Sequence, residues 1–134
     1  MIVVDTNVLA NALVPGEASS TVRRVFIRDP EWAAPPLARS ELRNVLLGCV
    51  RRGELALEDA VAAMDGLVLA LGDREFEVVS GPVLSLAVVS GCTAYDCEFV
   101  ALAKRLGVRL VTFDRQVLKA FPRIAIAPEV FVAE

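Results

Sequence analysis

The sequence predicts an α/β domain in which a mostly parallel central sheet of four to five strands is flanked by helices in three layers. Short β-branched runs alternate along the chain with longer segments of helical periodicity, and this alternation favours parallel strands joined by right-handed crossovers. Hydrophobic residues make up 55% of the 134 residues, which suits strands that are buried on both faces. The length is that of one domain, so we expect a single domain over residues 1–134.

The first half of the chain opens with the clearest buried strand, Ile2-Val3-Val4, which ends at the turn-forming residues Asp5-Thr6-Asn7. Four helices and a weak strand are predicted after it. They are a short helix over 8–13, a helix capped by Ser19-Ser20-Thr21, a weak strand over 32–34, a helix from Pro35-Pro36 to near Gly53 and a helix over 57–71. In the helix after Pro36, apolar residues recur at i, i+3, i+4 and i+7: Leu42, Val45, Leu46 and Cys49.

The second half continues the alternation of strands and helices. The predicted elements are a strand over 75–79, a helix from Ser80 and Pro82 to near Gly91, a helix capped by Thr93 and closed by Gly107, a strand over 108–113, a short helix from Asp114 to Phe121 and a last strand over 124–126. No repeat or internal linker interrupts them.

Composition excludes several classes of site. The chain has no histidine, which excludes a histidine base, a histidine ligand and a Ser-His-Asp triad. Its net charge of −3 is not the basic balance of a stand-alone nucleic-acid binder. The cysteines, Cys49, Cys92 and Cys97, are odd in number and lack a Cys-x-x-Cys pair, so we interpret them as small apolar fillers. No signal peptide or span of roughly 18 apolar residues is visible, and a cytoplasmic location is expected.

Four acids stand where strands end or helices begin. Asp5 and Asp114 each follow a predicted strand, and ligands of open α/β sheets bind beyond the carboxyl ends of strands where the strand order reverses. Thr112 shares a strand face with Asp114 because side chains alternate. Asp96 lies in the first turn of its helix, and Glu41 in the first or second turn of another. If the two strands are neighbours, these side chains converge.

Each acid also has a purely structural interpretation. Asp5 and Asp114 suit helix N-caps, Thr93 with Asp96 resembles a capping box, and Glu41 suits the positive end of a helix dipole. Carboxylates that converge would repel one another, and some would become protonated unless a cation neutralised them. Oxygen-only ligands suit Mg²⁺, for which Mn²⁺ can substitute. The pattern therefore predicts a magnesium site and leaves the capping alternative open.

The motifs that surround these acids resemble those of the PIN-domain family, and within it the VapC-type ribonuclease toxins of type II toxin–antitoxin pairs. The matching segments, in chain order, are Ile2-Val3-Val4-Asp5-Thr6-Asn7-Val8-Leu9, Ser40-Glu41, Tyr95-Asp96-Cys97-Glu98-Phe99-Val100-Ala101-Leu102-Ala103 and Leu110-Val111-Thr112-Phe113-Asp114. They extend over nearly the whole chain. Each segment is weak alone, but all of them in this order form a fairly specific signal.

The resemblance implies a Rossmann-like PIN fold and a Mg²⁺-dependent endoribonuclease that cleaves structured RNA. The residues that match the acidic quartet, and so the expected catalytic and metal-binding residues, are Asp5, Glu41, Asp96 and Asp114. Thr112 and Asn7 match supporting polar positions, with Thr112 the stronger candidate. Glu98 departs from the pattern, and we interpret it as a solvated residue or a partner contact.

The expected chemistry is in-line hydrolysis by a metal-activated water that leaves a 5′-phosphate and a 3′-hydroxyl. Whether one ion or two take part stays open. The expected partners are an RNA substrate such as tRNA or rRNA, a cognate antitoxin that lies in an apolar groove near 22–26 and 42–50, and a second copy in a homodimer. Candidate cations for guiding RNA are Arg39, Arg43, Arg115 and Lys119.

Two rival classes remain. Phosphotransfer enzymes and receiver domains also place acids at strand ends, but haloacid-dehalogenase-like phosphatases need a second Asp two residues after the first, where this chain has Asn7. A receiver needs paired acids after its first strand and a late lysine, and no residues of this chain can be placed in that arrangement. The other rival is a non-catalytic PIN-like module that binds RNA or protein, against which the intact quartet argues.

Overall fold

Four short parallel strands form the centre of the fold, which is described by a computed structural model covering residues 1–134. The strands are β1 (Ile2–Val4), β2 (Trp32–Ala33), β3 (Leu110–Val111) and β4 (Ala125–Ile126). They lie in the order β2-β1-β3-β4, and every neighbouring pair is parallel. The predicted parallel sheet is therefore confirmed, with four strands.

Eight helices surround the sheet. They are α1 (Thr6–Leu13), α2 (Ser19–Arg28), α3 (Leu37–Arg51), α4 (Leu57–Leu71), α5 (Ser80–Ser90), α6 (Ala94–Leu106), α7 (Arg115–Ala120) and α8 (Pro128–Ala133). The first four pack on one another, whereas α5 packs on α6, and α6 contacts β1 and β3. No single helix is both long and apolar enough to cross a membrane. Helices α5 and α6 reach that length and apolarity only when taken together, and the chain bends by 115° between them.

The strand order reverses between β1 and β3. From β1 the chain crosses to β2 on one side, and β3 later enters on the other side. The main chain fixes this neighbourhood, because the N–H of Asp5 donates to the carbonyl of Val111 at 3.0 Å. Residues that directly follow β1 and β3 therefore lie side by side, at the place where open α/β sheets bind ligands.

The strand expected over 75–79 is wrong. Glu75 alone forms a bridge, with Ala34 just beyond the end of β2, and the chain then leaves the sheet towards α5. Hydrogen bonds from two arginines stabilise this segment, for which the pairing of a full strand was expected. Arg74 donates to the backbone of β2 at 2.9 Å, and Arg39 Nε donates to Glu75 Oε2 at 2.6 Å. The alternating residues 75–79 therefore belong to a segment that leaves the sheet and not to a fifth strand.

Other element boundaries shift as well. The strand expected over 108–113 shortens to Leu110–Val111, since ladder pairing with both neighbours covers only those residues. A C-terminal helix, α8, was not predicted. Pro128 occupies its first turn, a position that suits proline, but the segment is too short for a periodicity argument. It is held by packing against α2.

The apolar stripe expected on α3 is only half correct. Leu42 and Leu46 are buried, and Ala38 joins them one turn earlier. Val45 is 41% exposed and Cys49 only partly buried. The core therefore contacts α3 mainly along i, i+4 and i+8, and Val45 and Leu47 remain exposed to solvent or a partner.

Of the two expected N-caps, the cap of α6 is present and the cap of α2 is absent. Thr93 caps α6, with its hydroxyl accepting from the N–H of Asp96 at 3.0 Å and its own N–H donating to the Asp96 carboxylate at 3.4 Å. This confirms the capping box. The cap expected for α2 is wrong, because the helix begins at Ser19 without a side-chain cap. The Ser19 hydroxyl accepts from the N–H of Gly16 instead, at 2.8 Å.

We expect Thr93→Ala to lower the free energy of unfolding by about 1 kcal/mol, because the N-terminal N–H of α6 loses its acceptor. Thr93→Ser keeps the hydroxyl and is the matched control. Urea unfolding followed by circular dichroism measures both variants. An alanine variant with the stability of the serine variant would contradict a stabilising role for the capping box.

Candidate active site

The structure places the four predicted acids at strand and helix ends. Asp5 directly follows β1 and caps α1, while Asp114 follows β3 and caps α7. Asp96 lies in the first turn of α6. Glu41 lies on α3, beyond its first turn, so the helix-dipole interpretation of this residue is wrong. The capping interpretations of the three aspartates are confirmed as local roles.

The Asp5 side chain is hydrogen-bonded to Thr112, which follows the neighbouring strand β3. The Thr112 hydroxyl donates to Asp5 Oδ2 at 2.6 Å, and it accepts from the N–H of Asp114 at 3.0 Å and from Asn7 Nδ2 at 3.4 Å. One donor and two acceptor positions are all that a hydroxyl offers. Thr112 is fully buried, so its orientation is fixed, and it ties the ends of β1 and β3 into one polar cluster.

Thr6 links Asp5 to Glu41. Its N–H donates to Asp5 Oδ1 at 2.7 Å, and its hydroxyl donates to Glu41 Oε1 at 2.8 Å. The side chain is only 6% exposed. Sequence reasoning missed this residue, although it stands inside the Asp-Thr-Asn motif. No local signal could identify its partner, since the contact with Glu41 depends on how α1 packs against α3.

The pKa of Asp5 depends on its burial and on two of the other acids. Burial raises the pKa of Asp5 to about 6, against the opposing effect of the hydrogen bonds from Thr112 and Thr6. The negative charges of Glu41 and Asp96 raise this pKa further. Asp5, Glu41 and Asp96 therefore share one electrostatic environment, in which each carboxylate opposes ionisation of the central one.

Asp114 belongs to the cluster less directly. Its backbone N–H reaches Thr112, but its Oδ1 accepts from the N–H of Val117 at 3.0 Å. No group of three or more acidic or cysteine side chains stands close enough together to hold one ion. The donor chemistry nevertheless fits a hard divalent cation, because the cluster offers only carboxylate and hydroxyl oxygens. Asp5, Glu41 and Asp96 are thus electrostatically coupled, whereas Asp114 is linked to them only through its backbone bond to Thr112.

Asn7 is committed to structural contacts. Its amide nitrogen donates to Thr112 at 3.4 Å, and its Oδ1 accepts from the N–H of Phe113 at 3.3 Å. These bonds support the loop after β3, and the supporting role of Asn7 in the site stays a prediction. They also weaken the phosphotransfer alternative, in which this position would supply a free acid.

Glu98 is less solvated than its helix position predicts, and its interpretation as a partner contact stays a prediction. It is partly buried, and burial raises its pKa, with the charges of Glu41 and Glu77 adding to the effect. Glu98 therefore extends the acidic surface around Glu41. The position of Glu98 relative to Asp96 predicted only the side of α6 on which Glu98 lies. It did not predict the proximity of Glu41 on α3.

The four candidate cations differ in availability. Arg39 is paired with Glu75 and stabilises the segment beside β2. The other three, Arg43, Arg115 and Lys119, are exposed and form no ion pair. The cysteine interpretation fits the structure, because Cys92 and Cys97 are buried and burial raises the pKa of the Cys97 thiol.

With this geometry in place, the family follows from comparison with known proteins. The family model of the PIN domain matches residues 2–126, a span that includes all four acids. The chain belongs to the PIN-domain family. Ribonuclease VapC3 of Pyrobaculum aerophilum is 33% identical over 126 residues, which cover 92% of this PIN domain and 96% of that relative. Ribonuclease VapC1 of Mycobacterium tuberculosis is 30% identical over 118 residues, covering 88% and 89%.

Solved structures share the fold of this PIN domain. PAE2754 from Pyrobaculum aerophilum superposes with a TM-score of 0.78 at 23% identity, covering 98% of this chain and 86% of the other. FitAcB from Neisseria gonorrhoeae gives 0.70 at 20% identity, covering 96% and 99%. A toxin–antitoxin complex from Klebsiella pneumoniae gives 0.67 at 16% identity, covering 96% and 98%. The resemblance carried by the sequence motifs is therefore confirmed.

We expect Asp5→Asn to stabilise the PIN domain at neutral pH when divalent ions are removed with EDTA. The folded pKa of Asp5, about 6, lies above its unfolded value of 3.8, so ionisation destabilises the fold as pH rises through that interval. The variant should gain up to about 3 kcal/mol above pH 6.5 and nothing below pH 3.8. Urea unfolding at pH 3.5, 5 and 7.5 measures the difference. A gain that does not change with pH would contradict the assignment.

Proposed function

We propose that this PIN domain is a Mg²⁺-dependent endoribonuclease of the VapC type, which acts in the cytoplasm on structured RNA such as tRNA or rRNA. The observation that carries the proposal is the coupling of Asp5 with Glu41 and Asp96 at the point where the strand order reverses. Relatives that are 33% and 30% identical to this chain over most of their length are named ribonucleases. A cluster of acids without histidine supports hydrolysis of a phosphodiester through a metal ion better than other reaction classes.

Asp5, Glu41 and Asp96 are the residues proposed to hold magnesium, with Asp114 completing the set. A bound magnesium ion would lower the pKa of a coordinated water and neutralise charge on the phosphate. The protein's own contribution is orientation: Thr112 and Thr6 each donate to a different oxygen of Asp5. Asp5 therefore keeps one fixed rotamer, and its remaining lone pairs point away from these donors.

The carboxylates that do not bind the ion directly would orient the attacking water or take its proton. Glu41 suits this role, since only one of its oxygens is engaged, by Thr6. Exposed cations near the cluster would guide the RNA backbone, which an acidic pocket alone repels. Arg43, Arg115 and Lys119 are available for this, whereas Arg39 is already paired.

A cognate antitoxin is the proposed protein partner, and a homodimer the proposed assembly. Two apolar grooves could take an antitoxin segment. One, of roughly 460 Å³, lies between α1, α2 and α4 and includes Phe26 and Arg23. The other, of roughly 360 Å³, lies between α3 and α4 and includes Leu47 and Arg43. The first groove combines apolar side chains with Arg23 and no acid, which favours a partner segment with mixed apolar and acidic residues, whereas the second carries both Arg43 and Asp65.

The decisive experiment incubates the purified, antitoxin-free chain with total cellular RNA and Mg²⁺ or Mn²⁺, and maps the new ends. We expect 5′-phosphate products that disappear with EDTA. Asp5→Asn and Asp96→Asn should each lower the cleavage rate at least about 100-fold, because each removes charge from the ion-binding cluster.

The matched control is Asp73→Asn, since the Asp73 side chain is 99% exposed and lies far along the chain from the cluster. Its cleavage rate should equal that of the wild type. Absence of cleavage by the wild type with either ion, or cleavage that survives EDTA, would refute the metal-dependent ribonuclease. Equal losses in all three variants would refute the assignment of the cluster.

Thr6→Val tests whether the hydroxyl positions Glu41 for the ion. Valine keeps the shape and the N–H bond to Asp5 but removes the donor to Glu41. We expect the dissociation constant for Mn²⁺, measured by titration calorimetry, to rise about tenfold, in the range found for outer-shell partners of metal ligands. Thr6→Ser retains the hydroxyl and should bind like the wild type. Equal affinities of the valine and serine variants would contradict a positioning role.

A further inference from the structure

The N-terminal end of α3 has no side-chain cap. The helix begins after Pro36, which offers no acceptor to the free N–H groups, and its first turn contains no acidic residue. Two side-chain hydrogen bonds connect the first two turns of α3 to other elements. Arg39 donates to Glu75, and Glu41 accepts from Thr6. These are therefore the specific polar contacts that hold this end of the helix.

Glu75 lies in a segment that the backbone fixes to the end of β2. The N–H of Ala34 donates to the carbonyl of Arg74 at 3.2 Å, and the N–H of Phe76 donates to the carbonyl of Ala34 at 3.1 Å. The Arg74 side chain adds a bond to the carbonyl of Trp32 at 2.9 Å. Glu75 is therefore a firm attachment point for the Arg39 side chain.

The two contacts hold α3 from opposite sides. Successive residues of an α-helix are rotated by about 100°, so Arg39 and Glu41 lie about 200° apart around the axis. The bond from Arg39 Nε to Glu75 Oε2 measures 2.6 Å, and the bond from the Thr6 hydroxyl to Glu41 Oε1 measures 2.8 Å. A helix held in this way cannot turn about its axis without stretching one of these bonds.

The position of the Glu41 carboxylate is sensitive to such a rotation. Side-chain ends lie roughly 5–6 Å from a helix axis, so a rotation of about 20° moves them by about 2 Å. Functional groups of a site need to be held within about 0.5 Å. Apolar packing is not directional, and the fully buried residues of α3 are only Ala38, Leu42 and Leu46. Packing alone therefore fixes the rotation of α3 less sharply than the two polar contacts do.

We propose that Arg39 and Glu75 form a positioning pair, which sets the rotation of α3 and thereby holds Glu41 at the acidic cluster. The inference rests on the proposed function, in which Glu41 belongs to the metal site. The side chains of Arg39 and Glu75 are 40% and 24% exposed, and ion pairs with such access to solvent contribute little to global stability. The pair therefore acts mainly on the geometry of the site, and Arg39 acts through Glu41 without contacting RNA.

Titration calorimetry of the full chain with Mn²⁺ tests the pair in Arg39→Ala, Glu75→Ala and the double variant. Each single substitution should raise the dissociation constant about fivefold, somewhat less than the loss of a direct outer-shell partner of a metal ligand. The double variant should bind like the single variants, because both residues act through one bond. Arg39→Lys keeps a cation opposite Glu75 and should restore most of the affinity.

Cleavage kinetics separate this role from contact with RNA. A positioning pair predicts a lower kcat with an unchanged KM in both alanine variants. An arginine that guided the RNA backbone would instead raise KM in Arg39→Ala, and Glu75→Ala would leave KM unchanged or lower it by releasing the guanidinium. The second pattern overturns the positioning pair.

The matched control is Glu54→Ala, since Glu54 forms a comparable ion pair with Arg52 at the other end of α3, at 2.9 Å. Its affinity for Mn²⁺ should stay within about twofold of the wild type. Circular dichroism shows whether each variant is folded. If Glu75→Ala impairs folding, Glu75→Gln, which removes only the charge, takes its place and should also weaken Mn²⁺ binding.

Three results overturn the pair: wild-type affinity in all its variants, additive losses in the double variant, or an equal loss in Glu54→Ala. A wild type that binds Mn²⁺ but cleaves no RNA refutes the ribonuclease alone, and the affinities still decide on the pair. A wild type that binds no Mn²⁺ overturns both.

Discussion

The parallel pairing of β1 with β3 is the constraint on which the candidate site depends. It brings Asp5, at the end of β1, next to Thr112, which follows β3, although the two residues are more than a hundred positions apart in the chain. The hydrogen bond between them uses the only proton of a buried hydroxyl. If β3 paired elsewhere in the sheet, Asp5 would still cap α1, but no cluster would form around it.

That arrangement costs the fold electrostatic free energy. A carboxylate is partly buried beside Glu41 and Asp96, and burial together with their charges opposes its ionisation. Hydrogen bonds from Thr112 and Thr6 offset only part of this effect. Interactions that destabilise a fold persist where they serve function, and a divalent cation is the natural complement of such a cluster. The surrounding core of 31 buried apolar residues compensates for the cost.

Charge is distributed unevenly along the chain, and the surfaces differ accordingly. Acids gather at the carboxyl ends of the strands, with exposed Arg115 and Lys119 following Asp114. Arg23 borders the groove beside α2, whereas Arg43 and Asp65 both border the groove beside α3. No acidic or basic residue occurs between Glu77 and Asp96, although Val88 and Val89 of α5 in that interval are more than 80% exposed.

Sequence by itself determined the fold class, most helices and the acids that gather at one end of the sheet. These features follow from local rules: β-branched runs form Ile2–Val4, Thr93 caps α6 through its neighbour Asp96, and strand–helix alternation enforces parallel pairing. Tertiary structure decided the rest. It kept residues 75–79 out of the sheet, partly buried Glu98 within the influence of the Glu41 charge, engaged Arg39 with Glu75 and selected Thr6 as the link between two acids. Each of these depends on which helix packs against which, and that choice is made by contacts between residues distant in the chain, which local patterns do not encode.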